Sequence, residues 1–216
     1  MAEPREGTFI WVTWLPRLLA GDAHCLWAAW FRAHYRYDKR QSEFDFSLWR
    51  AQHAELVRRR AGELRGSGYE VYIEEQNRFR LKGKVTTLGG APDIVAVRGA
   101  EALVVDCKAG ESRDSDRFQV LLYMYVLPFV HPACRHRTVA GEVHYKDGRI
   151  LTIEPAVLGD QMKDLFRHMI EQVGGDTPPS RVPSFAECRT CDISGLDCPD
   201  RVDEAPPDQI LEHDLF

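Results

Sequence analysis

The sequence predicts an α/β domain with a mostly mixed sheet flanked by helices. Three observations carry this. Helical periodicity fills the first third of the chain, short β-branched runs with turn residues between them fill the middle, and two more apolar helical stretches separate and follow those runs. In order, Thr13 is placed to N-cap a short helix over Trp14 to Ala20, which Gly21-Asp22 ends. A second helix is predicted from Cys25 to about Tyr37, with Trp27, Trp30 and Phe31 on its apolar side. A third runs from about Phe46 to Arg65, where Trp49, His53, Leu56 and Val57 recur at helical spacing; Gly66 and Gly68 stop it. Strands are predicted over Tyr69 to Glu75, more weakly over Phe79 to Val85, then over Ile94 to Val97 and Ala102 to Asp106. A helix follows from about Asp114 to Val130. Thr138 to Tyr145 and Arg149 to Ile153 form a hairpin about Asp147-Gly148, and a last helix covers Ala156 to Gln172. Gly174 to Ser184, rich in Gly and Pro, reads as a linker. No internal repeat is visible.

With 216 residues, 44% hydrophobic and 28% charged, the chain has the composition of an ordinary globular protein with one domain or one domain and a small appendage. A net charge of -5 excludes a protein-wide basic field, so nucleic acid would have to be met by a local patch. The apolar stretch 8–20 is interrupted by Pro16 and Arg17 and is too short to span a bilayer, and no signal-peptide pattern precedes it. A cytoplasmic location is expected. There, the six cysteines serve more readily as ligands or buried thiols than as disulfides.

The densest chemistry lies in Pro92-Asp93 and Asp106-Cys107-Lys108. If Gly99 and Ala100 are the central residues of a type II′ turn, Arg98 faces Glu101, Val97 faces Ala102 and Asp93 faces Asp106. Opposed residues have Cβ atoms about 4.5–5.5 Å apart, close enough to share a cation. Lys108 then points to the same face as Asp106, and Cys107 to the other. Two carboxylates suit a hard cation such as Mg²⁺ or Mn²⁺. Such an ion acidifies its water and stabilises charge on a phosphate, and the lysine adds positive charge beside it. By itself Asp-x-Lys also fits a solvated surface pair.

In these residues the chain resembles the PD-(D/E)XK nuclease superfamily, and its RecB-like branch in particular. Gln119 and Tyr123 match that branch's Q-x-x-x-Y motif, four residues apart on one helical face. The resemblance implies that both look toward the DNA and the catalytic elements, although Tyr123 also suits an apolar helix core beside Leu121, Leu122, Tyr125 and Val126. It places His53 as a metal ligand, with Glu55 as a rival on a different helix face, and the Cys107 carbonyl as a further ligand. Asp106 stands where Glu is commoner. Lys82 to Gly90 is longer and more polar than a tight strand connection needs; with Arg78 and Arg80 nearby it reads as a DNA-facing or merely solvated loop.

Cys188-x-x-Cys191 followed by Cys198 puts three thiolates in one compact segment, and Cys25 lies at a predicted helix start, where the helix dipole favours a thiolate. One N-terminal and three C-terminal cysteines around such a core resemble the iron–sulfur nucleases, including the CRISPR-associated RecB-like family (Cas-four) and bacterial helicase–nucleases. The resemblance implies a 4Fe–4S cluster stapling the two ends of the chain. A structural Zn²⁺, with His24 as a substitute ligand, is the alternative. Cys107 is expected in a buried strand, and Cys134 has no assigned role.

The expected organisation is an N-terminal helical part over 1–45 carrying Cys25, a RecB-like nuclease core over 46–173, a linker and Cys-rich segment over 174–200, and a disordered acidic tail over 201–216. The tail's Gln209-Ile210-Leu211 and Asp214-Leu215-Phe216 faintly resemble a sliding-clamp-binding peptide. The implied function is metal-dependent cleavage of single-stranded or overhanging DNA, in CRISPR adaptation beside an integrase or in repair. Asp93, Asp106 and His53 would hold the metal, and Lys108, Gln119 and Tyr123 would act on water or substrate. The alternatives are a non-catalytic cluster-bearing DNA-binding subunit and, more weakly, a C-x-x-C redox protein without the expected βαβ context.

Overall fold

The computed structural model describes residues 2–41, 45–205 and 207. Its first elements are β1 (Glu3–Pro4), β2 (Phe9–Trp11), α1 (Pro16–Ala20), α2 (Leu26–His34), β3 (Tyr35–Arg36) and α3 (Ser47–Gly66). Then come β4 (Glu70–Ile73), β5 (Phe79–Lys82), β6 (Thr87–Gly90), β7 (Ile94–Arg98), β8 (Glu101–Lys108) and α4 (Asp114–Val130). β9 (Thr138–Tyr145), β10 (Ile150–Ile153), α5 (Asp160–Gly174) and α6 (Phe185–Cys188) complete the order.

The main sheet runs β10-β9-β8-β7-β4. Its two most apolar strands, β7 and β8, pair antiparallel in the register set by Arg98 opposite Glu101, and Gly99 takes φ +60 in the turn between them. β8 and β9 pair in parallel, with α4 as the crossover between them. A sheet covered on both faces needs strands apolar on both sides, and β7 and β8 have that pattern. On one face, Leu56, Val57, Ala61 and Leu64 of α3 pack on Ile94, Ala96, Val105 and Cys107. On the other, Val120 to Leu127 of α4 pack on Val95, Val97, Val104 and Val143.

A second sheet, ordered β2-β6-β5, carries the chain into the main one. Its central strand, β6, corrects the reading of Lys82 to Gly90 as a loop. The reason is steric. A Cβ on Gly89 would lie 2.4 Å from the Phe9 ring, and one on Gly90 would lie 2.8 Å from Phe79 and 2.9 Å from Tyr123. Three aromatic rings occupy the space that side chains of a typical strand would fill, so the strand carries none of the usual propensity signal.

Other boundaries shift for local reasons. Thr13 does not cap α1; it lies in a 3-10 turn, and the helix starts at Pro16, whose missing N–H costs nothing at the first position. The helix expected to reach Tyr37 ends at His34, because Tyr35 pairs with Pro4 in a short β1–β3 ladder. The last long helix starts at Asp160 rather than Ala156, since Pro155–Val157 form a 3-10 turn first. The clamp-like residues Gln209 to Phe216 lie outside the described residues.

One ion pair fixes α3 against the sheet. Arg60 donates to both carboxylate oxygens of Glu142 on β9, at 2.8 and 2.7 Å, and Glu142 is buried. Arg60→Ala would leave that carboxylate without its partner, and destabilisation of about 3 kcal/mol is expected. Urea unfolding checks it; an unchanged midpoint would show that α3 docks without the pair.

Candidate active site

β7 and β8 pair as far as Ile94 opposite Val105, which leaves Asp93 and Asp106 as the next residues along the two chains. Two contacts hold the Asp93 turn from behind. The Asn77 amide donates to the Pro92 carbonyl at 3.0 Å, and the Glu74 N–H donates to the Asp93 carbonyl at 3.0 Å. The Asp93 side chain then faces forward: its Oδ2 accepts the Cys107 N–H at 2.7 Å and lies 3.2 Å from His53 Nε2. His53 reaches it from α3, with its ring stacked on Trp49 at 5.2 Å. The hydrogen bond to Asp93 outweighs burial and raises the His53 pKa above its ordinary value.

Asp106 is 3% exposed. Its Oδ1 accepts the Gln119 amide at 2.6 Å, and its Oδ2 lies 2.7 Å from Lys108 Nζ. Gln119 returns its amide oxygen to Lys108 Nζ at 3.0 Å, so the carboxylate, the amide and the ammonium close a triangle. Burial raises the Asp106 pKa to about 6; Lys108 opposes the shift and Asp93 adds to it. Burial alone would lower Lys108, but Asp106 outweighs it, so the lysine stays protonated at neutral pH.

Two participants were not singled out from the sequence. Asp116 Oδ1 lies 3.9 Å from Lys108 Nζ, and its Oδ2 accepts the Arg113 N–H and the Tyr145 hydroxyl at 3.0 and 3.3 Å. Its sequence signal was the three-residue spacing to Gln119, one helical turn. Asn77 is the other, and an isolated Asn before a strand carries no such signal. Tyr123 stands differently from its expected role facing DNA. It is 1% exposed and packs edge-on to Phe79 at 6.4 Å. It supports Gln119 and the Ala91 backbone from below, and burial raises its phenol pKa. The structure thus joins His53, Asp93, Asp106, Lys108 and Gln119, with Tyr123 beneath them. Glu55, the rival to His53, pairs with Arg58 on the exposed side of α3.

The donor set suits a divalent cation. Asp93 and His53 touch at the sheet end that also carries Asp106, and the buried Asp106 Oδ2 has a close ammonium but no aligned hydrogen bond. Among the described residues, no three His, Cys, Asp or Glu side chains are drawn together as a complete ligand set. Asp93 turns to His53 and the Cys107 N–H, while Asp106 turns to Lys108.

A cavity of about 360 Å³ is lined by Cys25, Cys188, Cys191 and Cys198, all of them free thiols. Cys25 is the N-cap of α2, and its N–H and that of His24 donate to Glu187 of α6 at 3.2 and 2.9 Å. Arg32 of α2 pairs with Asp192 at 2.8 Å and donates to Cys191 Sγ at 3.5 Å. Four convergent thiols are suitable donors for a metal centre. Cys107 is buried in β8 as expected, and burial pushes its thiol pKa up; Cys134 is buried as well.

The family model of the PD-(D/E)XK nuclease superfamily matches residues 16–196. The chain belongs to the PD-(D/E)XK nuclease superfamily. Members of this superfamily are typically metal-dependent nucleases. No curated protein matches it. Among solved structures, one titled "Crystal structure of SSO0001" is similar at 18% identity over 93% of this chain and 90% of that one, with a TM-score of 0.44. No helix among the described residues is long and apolar enough to cross a membrane.

The charge states set a pH dependence. A carboxyl raised to about 6 is neutral below that pH and cannot serve as an anionic ligand, and a protonated His53 cannot ligate either. Mn²⁺ affinity, followed by calorimetry, is expected to rise as pH increases from about 6, where Asp106 ionises, through the raised range in which His53 loses its proton, with proton release. Affinity independent of pH between 5 and 8 would contradict this ligand set.

Proposed function

We propose that this superfamily member is a divalent-metal-dependent deoxyribonuclease acting on single-stranded or overhanging DNA ends, built around a structural 4Fe–4S cluster. The observation that supports it most is the meeting of Asp93, His53, Asp106, Lys108 and Gln119 at one sheet end. Asp93, Asp106 and His53 would hold Mg²⁺ or Mn²⁺, which when bound supplies Lewis acidity and an acidified water. Lys108 is protonated and cannot accept a proton. It donates to the attacking water or to a phosphate oxygen and offsets the charge that develops there. Gln119 holds Asp106 and Lys108 in mutual register, and Asp116 keeps a second negative charge near the ammonium.

For the cysteines, the cavity that all four thiols line and the resemblance to the iron–sulfur nucleases support a cluster, with Zn²⁺ as the alternative. The cluster would join α2 to the C-terminal segment, which Glu187 and Arg32 already link. A role in trimming DNA ends beside a CRISPR integrase, or in repair, is consistent with such a site. The Asp106–Lys108 ion pair also favours a second reading, a cluster-bearing DNA-binding subunit in which the lysine permanently occupies the ligand oxygen.

Cleavage of an end-labelled single strand with Mn²⁺ or Mg²⁺, by anaerobically purified protein and its Lys108→Ala variant, separates the two. Metal-dependent cutting that falls at least about hundredfold in the variant is expected. An iron-loaded, folded parent that does not cut would favour the binding subunit. Cys191→Ser should lose iron and melt at lower temperature; full iron with an unchanged melting curve would remove the cluster from this proposal.

A further inference from the structure

We infer that the outer face of the β2-β6-β5 sheet is a binding track for single-stranded DNA that leads toward the turn carrying Asp93. In its direction, though not in its binding chemistry, this rests on the nuclease reading.

Strand alternation and register define the face. Phe9 lies opposite Thr87 and Trp11 opposite Gly89, while Arg80 lies opposite Gly89 and Lys82 opposite Thr87. These residues therefore share one side, and Ile10, Leu88 and Phe79 are buried on the other. On the outer side, two aromatic rings each carry a guanidinium. Arg80 lies 5.5 Å from the Phe9 ring centre and Arg78 lies 5.8 Å from that of Trp11. The rings meet edge to face at 5.2 Å. Gly89 is what lets the Phe9 ring lie across the sheet, since a Cβ there would clash with it at 2.4 Å.

Charge complementarity selects the occupant. A cavity of about 360 Å³ beside the rings is lined by Arg5, Phe9, Trp11, Arg36 and Arg80, with Glu6 as its acidic member. Among the described residues no ion pair engages Arg36, Arg80, Lys82 or Lys84, whereas Arg78 is held by Glu75 at 2.6 Å. In a chain of net charge -5, this is a local basic cluster interleaved with half-exposed aromatics. Single strands are bound by this combination, with bases stacked on rings and phosphates on cations; a duplex keeps its bases stacked inside and offers nothing to the rings. Successive outward residues on one strand are about 6.8 Å apart, so the two ring–arginine pairs can serve successive nucleotides of an extended strand.

The track has a direction. Arg78 directly follows Asn77, whose amide holds the Pro92 carbonyl, and β6 ends at Gly90, just before Asp93. The Arg78–Trp11 pair is thus the end nearer the acidic site. Arg80–Phe9 comes next, and Lys82 and Lys84 lie farthest out.

The test is fluorescence anisotropy of labelled (dT)12 and of a 12-base-pair duplex against the full chain in EDTA, where no cutting occurs. Phe9→Leu removes the aromatic face but keeps apolar packing, and Arg36→Ala/Arg80→Ala removes two exposed charges; thermal melts confirm that both variants fold. The parent is expected to prefer the single strand. Phe9→Leu should weaken binding by about fivefold to hundredfold. The double variant should reduce the salt slope, log K against log salt, by about 1.4. A parent that binds no single strand, one that prefers duplex, or variants with parental affinity and salt slope would each overturn the track. Binding of the expected kind by a protein that does not cut in Mn²⁺ would uphold the track while removing the nuclease reading. Cutting with unchanged binding in both variants would do the reverse.

Discussion

The hydrogen-bond register of the β7–β8 hairpin is the constraint on which the candidate site depends. Gly99 at φ +60, with Ala100 in an ordinary conformation, closes a turn that leaves Arg98 opposite Glu101. From there the pairing runs without a bulge to Ile94 and Val105, and the two aspartates are the next residues along the chains. A slip of one residue would turn Asp106 and Lys108 to the α3 face and bring Cys107 to the α4 face. Gln119 and Asp116, both on α4, would then meet a thiol instead of a carboxylate and an ammonium. The register resists such a slip because both faces of β7 and β8 are buried against helices.

That register places Asp106 where water scarcely reaches it, and the site answers with a nearly complete polar network. Gln119 takes one carboxylate oxygen and Lys108 approaches the other; Asp116, Tyr145 and the Arg113 N–H continue the chain outward. Buried polar groups are costly singly and tolerable together, so loss of one member exposes the others to an uncompensated low-dielectric environment. The raised pKa of Asp106 marks the part left uncompensated: the fold holds the carboxylate in place without fully stabilising its charge. A divalent cation would complete that compensation, which ties the buried carboxylate to the proposed use of the site.

Much of this was legible in the sequence, and the exceptions have causes. The hairpin and α4 could be read because β-branched runs, a Gly at the turn and strong apolar periodicity all agree there. β6 could not, because Gly89 and Gly90 are strand residues whose space is filled by Phe9, Phe79 and Tyr123 from elsewhere. Tyr123 matched a motif, yet its helical face points into the core; spacing fixes which residues share a face and not how deep that face lies. Asn77 acts through contacts with residues far along the chain, which no local pattern announces, and Asp116 had only its one-turn spacing to Gln119 as a signal. Cys188, Cys191 and Cys198 were readable from their spacing and Cys25 through the resemblance, and all four line one cavity. What they hold is a matter of sulfur chemistry that spacing alone leaves open between iron–sulfur and zinc.

The central claim is that the β7–β8 hairpin is a metal site that Lys108 guards in the free protein. Its most direct test is a crystal of the protein soaked in Mn²⁺ and measured for anomalous scattering at the manganese edge. The account predicts a peak between the Asp93 and Asp106 carboxylates within reach of His53 Nε2, with the Lys108 ammonium displaced from Asp106 Oδ2. No peak at that position, with Lys108 still on Asp106 at saturating Mn²⁺, would contradict it.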